Sequence, residues 1–115
     1  MKRVYIAGPL SDMPADYLAN CACMIAAWRE VNALGHAGYC PATDMMLGAS
    51  HDLPYTIEQY QAWSMAWLEA ADVVLVIAST HRDGRPSKGV LTEVERAADL
   101  GIPVVFSIDE LRALE

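Results

Sequence analysis

One stretch constrains the fold more than any other: the residues from Asp72 to Glu93, with the sequence DVVLVIASTHRDGRPSKGVLTE. An apolar run of strand length is followed by a polar loop with Gly and Pro, and apolar residues then return with helical spacing from Ser87. This order predicts a strand–loop–helix unit of an α/β protein. Open α/β sheets bind ligands outside the carboxyl ends of their strands, where a helix start offers N–H groups to an anion. The loop end of this unit is therefore the predicted binding site.

Composition and charge narrow the class of protein. The chain has 115 residues, of which 54% are hydrophobic and 20% charged, so we expect one globular domain over residues 1–115. A net charge of −7 argues against nucleic acid or an anionic membrane as the main partner, because both need a basic patch. No apolar run approaches the length of a transmembrane helix.

The cysteines indicate the compartment. Cys21, Cys23 and Cys40 lack the spacing of a metal site, and their odd number in a chain without a signal peptide predicts a reducing cytosol. We expect structural thiols, no metal and no cofactor.

Periodicity and turn residues predict three further strand–helix units. The predicted strands are 3–7, 38–40, 72–77 and 102–107, and the predicted helices are 15–34, 56–71, 87–100 and 108–115. The apolar faces of the first two helices are expected to include Leu18 and Trp28, and Ile57 and Trp67, respectively. Residues 41–54 are predicted to form a long loop, which is often an active-site lid.

This alternation predicts a single α/β domain with a parallel sheet of four or five strands and helices on both faces. The expected arrangement is a three-layer, flavodoxin-like or Rossmann-like fold with strand 1 in the centre. Its switch point falls between strands 1 and 3, so residues 5–11 and 78–93 should line one cleft.

Glu93 is the candidate for chemistry on the third helix. It lies at the border of the apolar face, whereas Glu95 and Asp99 point away from that face. A partly desolvated carboxylate there is a candidate nucleophile or base, because its environment adjusts its pKa. The alternative is an ordinary surface glutamate.

The start of the same helix also has two interpretations. Ser87 is either an N-cap alone or a phosphate ligand, and Gly89 either permits close packing or offers an open N–H group. The basic residues Arg82, Arg85 and Lys88 favour an anionic ligand, against the default of a solvated loop.

The end of strand 1 argues against two other uses of the fold. The turn after Ala7 lacks the hydroxyl-rich run of a flavin phosphate site, and no acidic pair ends the strand as in a phosphoacceptor domain. Tyr5, in the middle of the strand, is either a core residue or a hydroxyl that needs a partner.

Three stretches in register carry a family resemblance. They are Val4-Tyr5-Ile6-Ala7-Gly8-Pro9, Trp67-Leu68-x-x-Ala71-Asp72-Val73-Val74, and Ser87-x-Gly89-x-x-x-Glu93 followed by Ala97 and Gly101-Ile102-Pro103-Val104. Together they resemble the nucleoside 2-deoxyribosyltransferase superfamily over nearly the whole chain. The short length and the Ser-x-Gly-x-x-x-Glu spacing are most similar to the 2'-deoxynucleoside 5'-phosphate N-hydrolases and to related small phage and bacterial members.

The resemblance implies roles for individual residues. It implies that Glu93 attacks the anomeric carbon to form a glycosyl-enzyme ester, and that Tyr5 orients this carboxylate. The residues implied in substrate binding are Gly8, Pro9, Ser11, Ser64, Ser87, Lys88 and Gly89.

Two positions depart from the family pattern. Ser64 stands where the family usually has an aspartate, and Ser11 stands where the hydrolases tend to have an arginine for phosphate. A serine hydroxyl cannot replace an acid near neutral pH. Either Asp44 or Asp52 supplies the proton instead, or the chain binds nucleotides without turning them over.

Two functions follow as expectations. The first is hydrolysis of, or deoxyribosyl transfer from, the N-glycosidic bond of a (deoxy)nucleoside or its 5'-monophosphate. The alternative is an inactive nucleotide-binding or sensing domain that keeps the same pocket. The expected partner is a small-molecule nucleotide or nucleoside. A homodimer or higher homo-oligomer is also expected, because Trp63, Met65 and Trp67 exceed what one core face needs.

Overall fold

The computed structural model describes residues 1–10 and 14–114. In chain order its elements are β1 (Arg3–Ala7), α1 (Pro14–Ala33), β2 (Ala37–Tyr39), α2 (Ala42–Ser50), α3 (Ile57–Glu69), β3 (Val73–Val76), α4 (Lys88–Asp99), β4 (Val104–Val105) and α5 (Ile108–Ala113). Within the described ranges, no helix is both long and apolar enough to cross a membrane.

The strands form one four-stranded parallel sheet in the order β2-β1-β3-β4. Tyr5 on β1 lies opposite Tyr39 on β2 and opposite Val74 on β3. All four residues of β3 and four of the five in β1 are buried, as expected for central strands of a parallel sheet. The prediction of an α/β fold with strand 1 in the centre is confirmed.

Two separate cores cover the two faces of this sheet. Because side chains alternate along a strand, Val4 and Ile6 pack with α1 and α5, whereas Tyr5 and Ala7 pack with α3 and α4. Cys21 and Cys40 are buried thiols of the first core, Cys23 is exposed, and all three are free. Tyr5 therefore lies on the same side of the sheet as α4, the helix that carries Glu93.

The prediction of a loop over residues 41–54 is wrong, because residues 42–50 form α2. Pro41 adopts helical angles, φ −58 and ψ −24, without a side-chain cap, so the usual start signal is missing. Gly48 looks like a loop residue, but an added Cβ there would lie 1.7 Å from the Tyr60 hydroxyl oxygen. This glycine permits α2 and α3 to approach each other.

Four predicted core positions are also wrong. Leu18 and Trp28 on α1 are 69% and 39% exposed, and Ile57 and Trp67 on α3 are 52% and 58% exposed. The Trp28 indole N–H donates to the Gly38 carbonyl at 3.0 Å, so the ring lies beside the edge strand β2. An amphipathic spacing identifies a helix but sets its rotation on the sheet only approximately.

Candidate functional site

Glu93 and Tyr5 meet between α4 and the centre of the sheet. The Tyr5 side chain is 1% exposed, and its hydroxyl donates a hydrogen bond to the Glu93 carboxylate. The second carboxyl oxygen of Glu93, Oε2, is buried and has no hydrogen-bond partner among the residues that the structure describes. Glu93 as a whole is half-buried, so its carboxyl group is less solvated than that of an ordinary surface glutamate.

Burial controls the protonation of this pair. It raises the pKa of Glu93 to about 7, and the hydrogen bond from Tyr5 opposes that rise. Burial, followed by the nearby Glu93 charge, raises the pKa of Tyr5 far above its ordinary value. Near neutral pH, a fraction of Glu93 is thus ionised, which is the form that a nucleophile or a general base needs.

Ser64 extends the site away from Glu93. It is half-buried on α3, and its hydroxyl lowers the pKa of both Tyr5 and Tyr39, against the larger effect of burial. The Tyr39 hydroxyl in turn donates to Asp44 Oδ2 at 2.5 Å. A line of polar groups therefore runs from α4 through β1, α3 and β2 to α2.

Aromatic stacking holds the phenols in place. The ring centroids of Tyr5 and Tyr39 are 5.7 Å apart, and those of Tyr39 and Trp67 are 5.4 Å apart. No pattern in the sequence marks Tyr39 as a residue of this site. Its signal is a tyrosine on each of two strands at the same register, which is visible only once the pairing is known.

The two candidate proton donors lie in different settings. Asp44 is half-buried in the first turn of α2, beside Tyr39. Asp52 is exposed beyond the end of α2, with a left-handed φ of 51. Of the two candidate proton donors, Asp44 is the one that belongs to the line of polar groups that begins at Glu93.

The first residues of α4 are exposed, although the N-cap residue before them is buried. Ser87 is buried, its side chain accepts from the Val90 N–H at 3.3 Å, and its backbone N–H donates to the Ser79 carbonyl at 3.0 Å. Lys88 and Gly89 are exposed. A Cβ on Gly89 would meet only the Ser87 hydroxyl oxygen at 4.0 Å, so close packing does not explain this glycine.

Ion pairs offset part of the predicted basic cluster. Arg82 pairs with Asp16 at 3.9 Å, and Arg85 pairs with Asp83 at 2.6 Å. The loop that carries both arginines is closed by an antiparallel bridge between Thr80 and Pro86. The local positive charge is therefore weaker than the sequence indicates.

The turn after β1 lies toward the other face of the sheet, which packs against α1 and α5. A Cβ on Gly8 would lie 3.0 Å from the Ile77 side chain, so glycine permits the ends of β1 and β3 to approach closely. Pro9 is buried and lines a cavity of about 500 Å³ between the sheet, α1 and α5. The structure does not bring Pro9 to the pair of Tyr5 and Glu93, and Ser11 lies outside the described residues.

A second cavity adjoins the outer end of the polar line. It measures about 320 Å³ and has a mostly aromatic lining. Its residues are Asp44, Leu47, Gly48, Leu53, Tyr55, Tyr60, Trp63 and Trp67. Neither cavity includes Glu93 or Tyr5 in its lining. The described residues also contain no group of three or more His, Cys, Asp or Glu side chains that could hold a metal ion.

Two solved structures share this fold. One is a 2-deoxyribosyltransferase from the psychrotolerant bacterium Bacillus psychrosaccharolyticus, with 18% identity, a TM-score of 0.59, and coverage of 89% of this chain and 69% of that protein. The other is a 2-deoxyribosyltransferase from Leishmania mexicana, with 20% identity, a TM-score of 0.62, and coverage of 92% and 63%. The resemblance seen in the sequence is thus confirmed at the level of the fold, although the chain spans only about two thirds of each protein.

Comparison with protein families and curated proteins gives one match. No curated protein matches the sequence. A family model described as a domain of unknown function, DUF4406, matches residues 2–106. The chain therefore belongs to the DUF4406 family, within the 2-deoxyribosyltransferase-like fold.

Proposed function

We propose that this protein cleaves the N-glycosidic bond of a (deoxy)nucleoside or its 5'-monophosphate, with Glu93 as the nucleophile. The observation that carries the proposal is the burial of the Glu93 carboxyl against Tyr5, with Oε2 lacking a hydrogen-bond partner among the described residues. A carboxylate in such a setting stabilises a nearby oxocarbenium-like centre strongly, because little water screens the attraction. The shared fold with two 2-deoxyribosyltransferases supports the same reaction class.

The proposed reaction has two displacement steps. A Glu93 oxygen attacks the anomeric carbon while the carbon–nitrogen bond breaks, and the bonding pair leaves with the base, which takes up a proton. The resulting glycosyl ester is then attacked by water, which gives hydrolysis, or by a second base, which gives transfer. Tyr5 holds the carboxylate by its hydrogen bond in the first step.

The start of α4 is the proposed position of a 5'-phosphate. The Ser87 hydroxyl, the Lys88 ammonium and the Gly89 N–H all belong to the start of this helix, where the helix dipole favours an anion. The space beside Gly89 is open.

A second candidate function is nucleotide binding or sensing without turnover. Ser64 offers a hydroxyl where the family resemblance implies an aspartate, and the buried Glu93 Oε2 has little room for a substrate in this conformation. Such a domain would bind the ligand and leave the glycosidic bond intact.

We also propose that two copies of the chain associate through α3 and the segment before it. Large apolar side chains are exposed along this surface, which we name the α3 patch: Leu53, Tyr55, Ile57, Trp63 and Trp67. Exposed apolar patches of this kind mark interfaces.

The cytosolic location expected from the cysteines stays a prediction.

The test is a panel of nucleosides and 5'-monophosphates, with free base measured by chromatography. We expect base release from at least one substrate, and a loss on the order of 10³-fold or more in Glu93→Gln, which removes the nucleophile and keeps its shape. Mass spectrometry of the quenched reaction should find the sugar on the peptide that contains Glu93.

Glu95→Gln is the matched control, because Glu95 is exposed on the same helix. Base release that survives in Glu93→Gln would contradict the assignment of the nucleophile. A ligand-dependent rise in melting temperature without product, for every compound of the panel, would support the sensing function instead.

A further inference from the structure

A large cavity lies on the opposite side of the sheet from α4. It measures about 500 Å³ and lies between the sheet, α1 and α5, and the proposed reaction does not use it. Cavities of several hundred cubic ångströms have the usual size of small-molecule sites. We name it the α1 cavity.

Asn20 on α1 is the unusual group in the wall of this cavity. Its side chain lines the α1 cavity, is 7% exposed, and carries a buried amide nitrogen, Nδ2, with no hydrogen-bond partner among the described residues. A buried donor without an acceptor costs free energy, and native proteins contain few of them. Because the described residues around Asn20 supply no acceptor, the α1 cavity is the place where one can lie.

The buried part of the wall is apolar. Met24 and Leu75 are each 1% exposed, and Ile77 and Ile108 are half-buried against the same core. In the exposed part of the wall, Phe106 offers an aromatic ring. Apolar walls hold water poorly, and an apolar wall with one well-placed donor is typical of a site for a small organic molecule.

The charges around the α1 cavity favour an uncharged ligand. Arg82 lines the cavity, but its guanidinium pairs at 3.9 Å with Asp16, which lies one helical turn before Asn20. Glu30, further along the same helix, adds a negative charge to the wall. An anion would thus meet one paired cation and two carboxylates, so it would gain no net attraction.

We propose that the α1 cavity binds an uncharged, mostly apolar molecule of one or two rings that carries a carbonyl oxygen. The carbonyl oxygen accepts a hydrogen bond from Asn20 Nδ2, and the rings lie against the apolar wall. A carbonyl suits the site better than a hydroxyl, because it accepts without bringing a proton that needs an acceptor of its own. Neither Glu93 nor Tyr5 lines this cavity, so the site is separate from the proposed reaction.

Cys23 provides a reporter within the wall. It lines the α1 cavity as an exposed free thiol, whereas Cys21 and Cys40 are buried. A maleimide should therefore modify Cys23 first in the folded protein, because the reaction of a thiol depends on its exposure. A ligand in the α1 cavity should slow this labelling, which mass spectrometry of the Cys23 peptide measures.

The test compares three probes that share a naphthalene body. 2-Acetylnaphthalene carries the carbonyl, 2-isopropenylnaphthalene replaces its oxygen with a methylene group, and 2-naphthoate carries a negative charge. We expect 2-acetylnaphthalene to protect Cys23 at concentrations on the order of tenfold lower than the other two need, which corresponds to one hydrogen bond to a buried donor. The side-chain N–H signals of Asn20 in ¹⁵N NMR should shift with the same probe.

Asn20→Leu separates the hydrogen bond from the shape of the cavity. It keeps a side chain of similar size and removes a donor that lacks a partner among the described residues, so the fold should persist, as circular dichroism can check. The two uncharged probes should then protect Cys23 at equal concentrations. Ala27→Leu adds bulk inside the α1 cavity and should weaken protection by every probe, whereas Ala22→Leu, at an exposed position of α1 outside the wall, should leave it unchanged.

Three results would overturn the proposal. Equal protection by the two uncharged probes in the wild type would show that Asn20 donates to neither. A preference for 2-acetylnaphthalene that persists in a folded Asn20→Leu variant would place the carbonyl elsewhere. Labelling that no probe slows, or that 2-naphthoate slows best, would contradict a site for an uncharged ligand. Because the readout needs no nucleotide, these outcomes are independent of the proposed function.

Discussion

The carboxyl group of Glu93 determines the chemical character of the site at the scale of single residues. Burial raises its pKa, and the Tyr5 hydroxyl limits that rise by stabilising the anion. The folded protein therefore keeps a carboxyl group in an environment that disfavours its charge. This cost is typical of functional sites.

Glu93→Gln should change how stability depends on pH. The pKa of Glu93 is 4.5 ordinarily and about 7 in the fold, so the folded state binds more protons than the unfolded state between these values. The free energy of unfolding should fall as pH rises through this window, by at most on the order of 3 kcal/mol, and then level off. Glutamine removes this dependence, so the variant should gain stability over the wild type between about pH 5 and about pH 8.

Urea denaturation at several pH values measures this difference. Glu95→Gln, on the exposed side of α4, should differ from the wild type by an amount that does not vary with pH. A Glu93→Gln difference that is equally flat would show that Glu93 is not stabilised in its protonated form.

Gly89→Ala should separate stability from binding. Gly89 is exposed within α4 and has open space around it, so alanine should raise the free energy of unfolding by about 0.5 kcal/mol through helix propensity. The added methyl group should weaken binding of a 5'-monophosphate while it leaves nucleoside binding unchanged. Denaturation and calorimetry test the two effects. Gly84→Ala provides the contrast, because φ at Gly84 is +91 and alanine should destabilise the protein there.

At the scale of elements, α3 has the clearest local signal and carries Ser64. Thr56 accepts from the Gln59 N–H at 3.2 Å, and the Gln59 side chain accepts from the Thr56 N–H at 2.8 Å. This capping box satisfies two N–H groups that a helix start otherwise leaves without partners. The predicted start of the helix at Thr56 is confirmed.

Thr56→Ala should therefore lower the free energy of unfolding by about 1 kcal/mol, because the cap loses its acceptor. Urea denaturation measures the change. Gln61→Ala, at an exposed position in the interior of the same helix, should be close to neutral. Equal losses in the two variants would mean that the capping box adds nothing specific.

At the scale of the whole molecule, apolar surface is distributed unevenly. The α3 patch combines several exposed large side chains on one side of the protein, next to the aromatic cavity. The opposite face of the sheet also exposes Phe106, at 58%, where it lines the larger cavity. This asymmetry is the basis for placing the interface at α3.

Ile57→Glu should dissociate the proposed homodimer. A glutamate in the first turn of α3 is compatible with the helix dipole, so the fold should persist while the charge opposes association. Sedimentation equilibrium at micromolar concentration should show a dimer for the wild type and a monomer for the variant. Phe106→Glu, which adds the same charge at an equally exposed aromatic position, should stay dimeric, and a monomeric wild type would contradict the interface.

The sequence predicted the central part of the fold well, for a physical reason. β1 and β3 are buried on both faces, so their apolar runs are continuous and hard to mistake. Turn and cap residues such as Thr56, Ser87, Gly35 and Gly101 then mark the helix ends locally. By contrast, α2 has no side-chain cap and contains a glycine that serves its packing on α3, so local signals indicated a loop.

What the sequence determined by itself is whatever depends on neighbours along the chain: the strands, most helices, their parallel order, and Glu93 at the border of an apolar face. The tertiary structure alone decided which side chains meet across elements. The pairing of Tyr5 with Tyr39, the bond of Tyr39 to Asp44 and the packing of Tyr5 against α3 and α4 all depend on strand register and helix rotation. Both are set by packing of the whole core, which contacts along the chain do not encode.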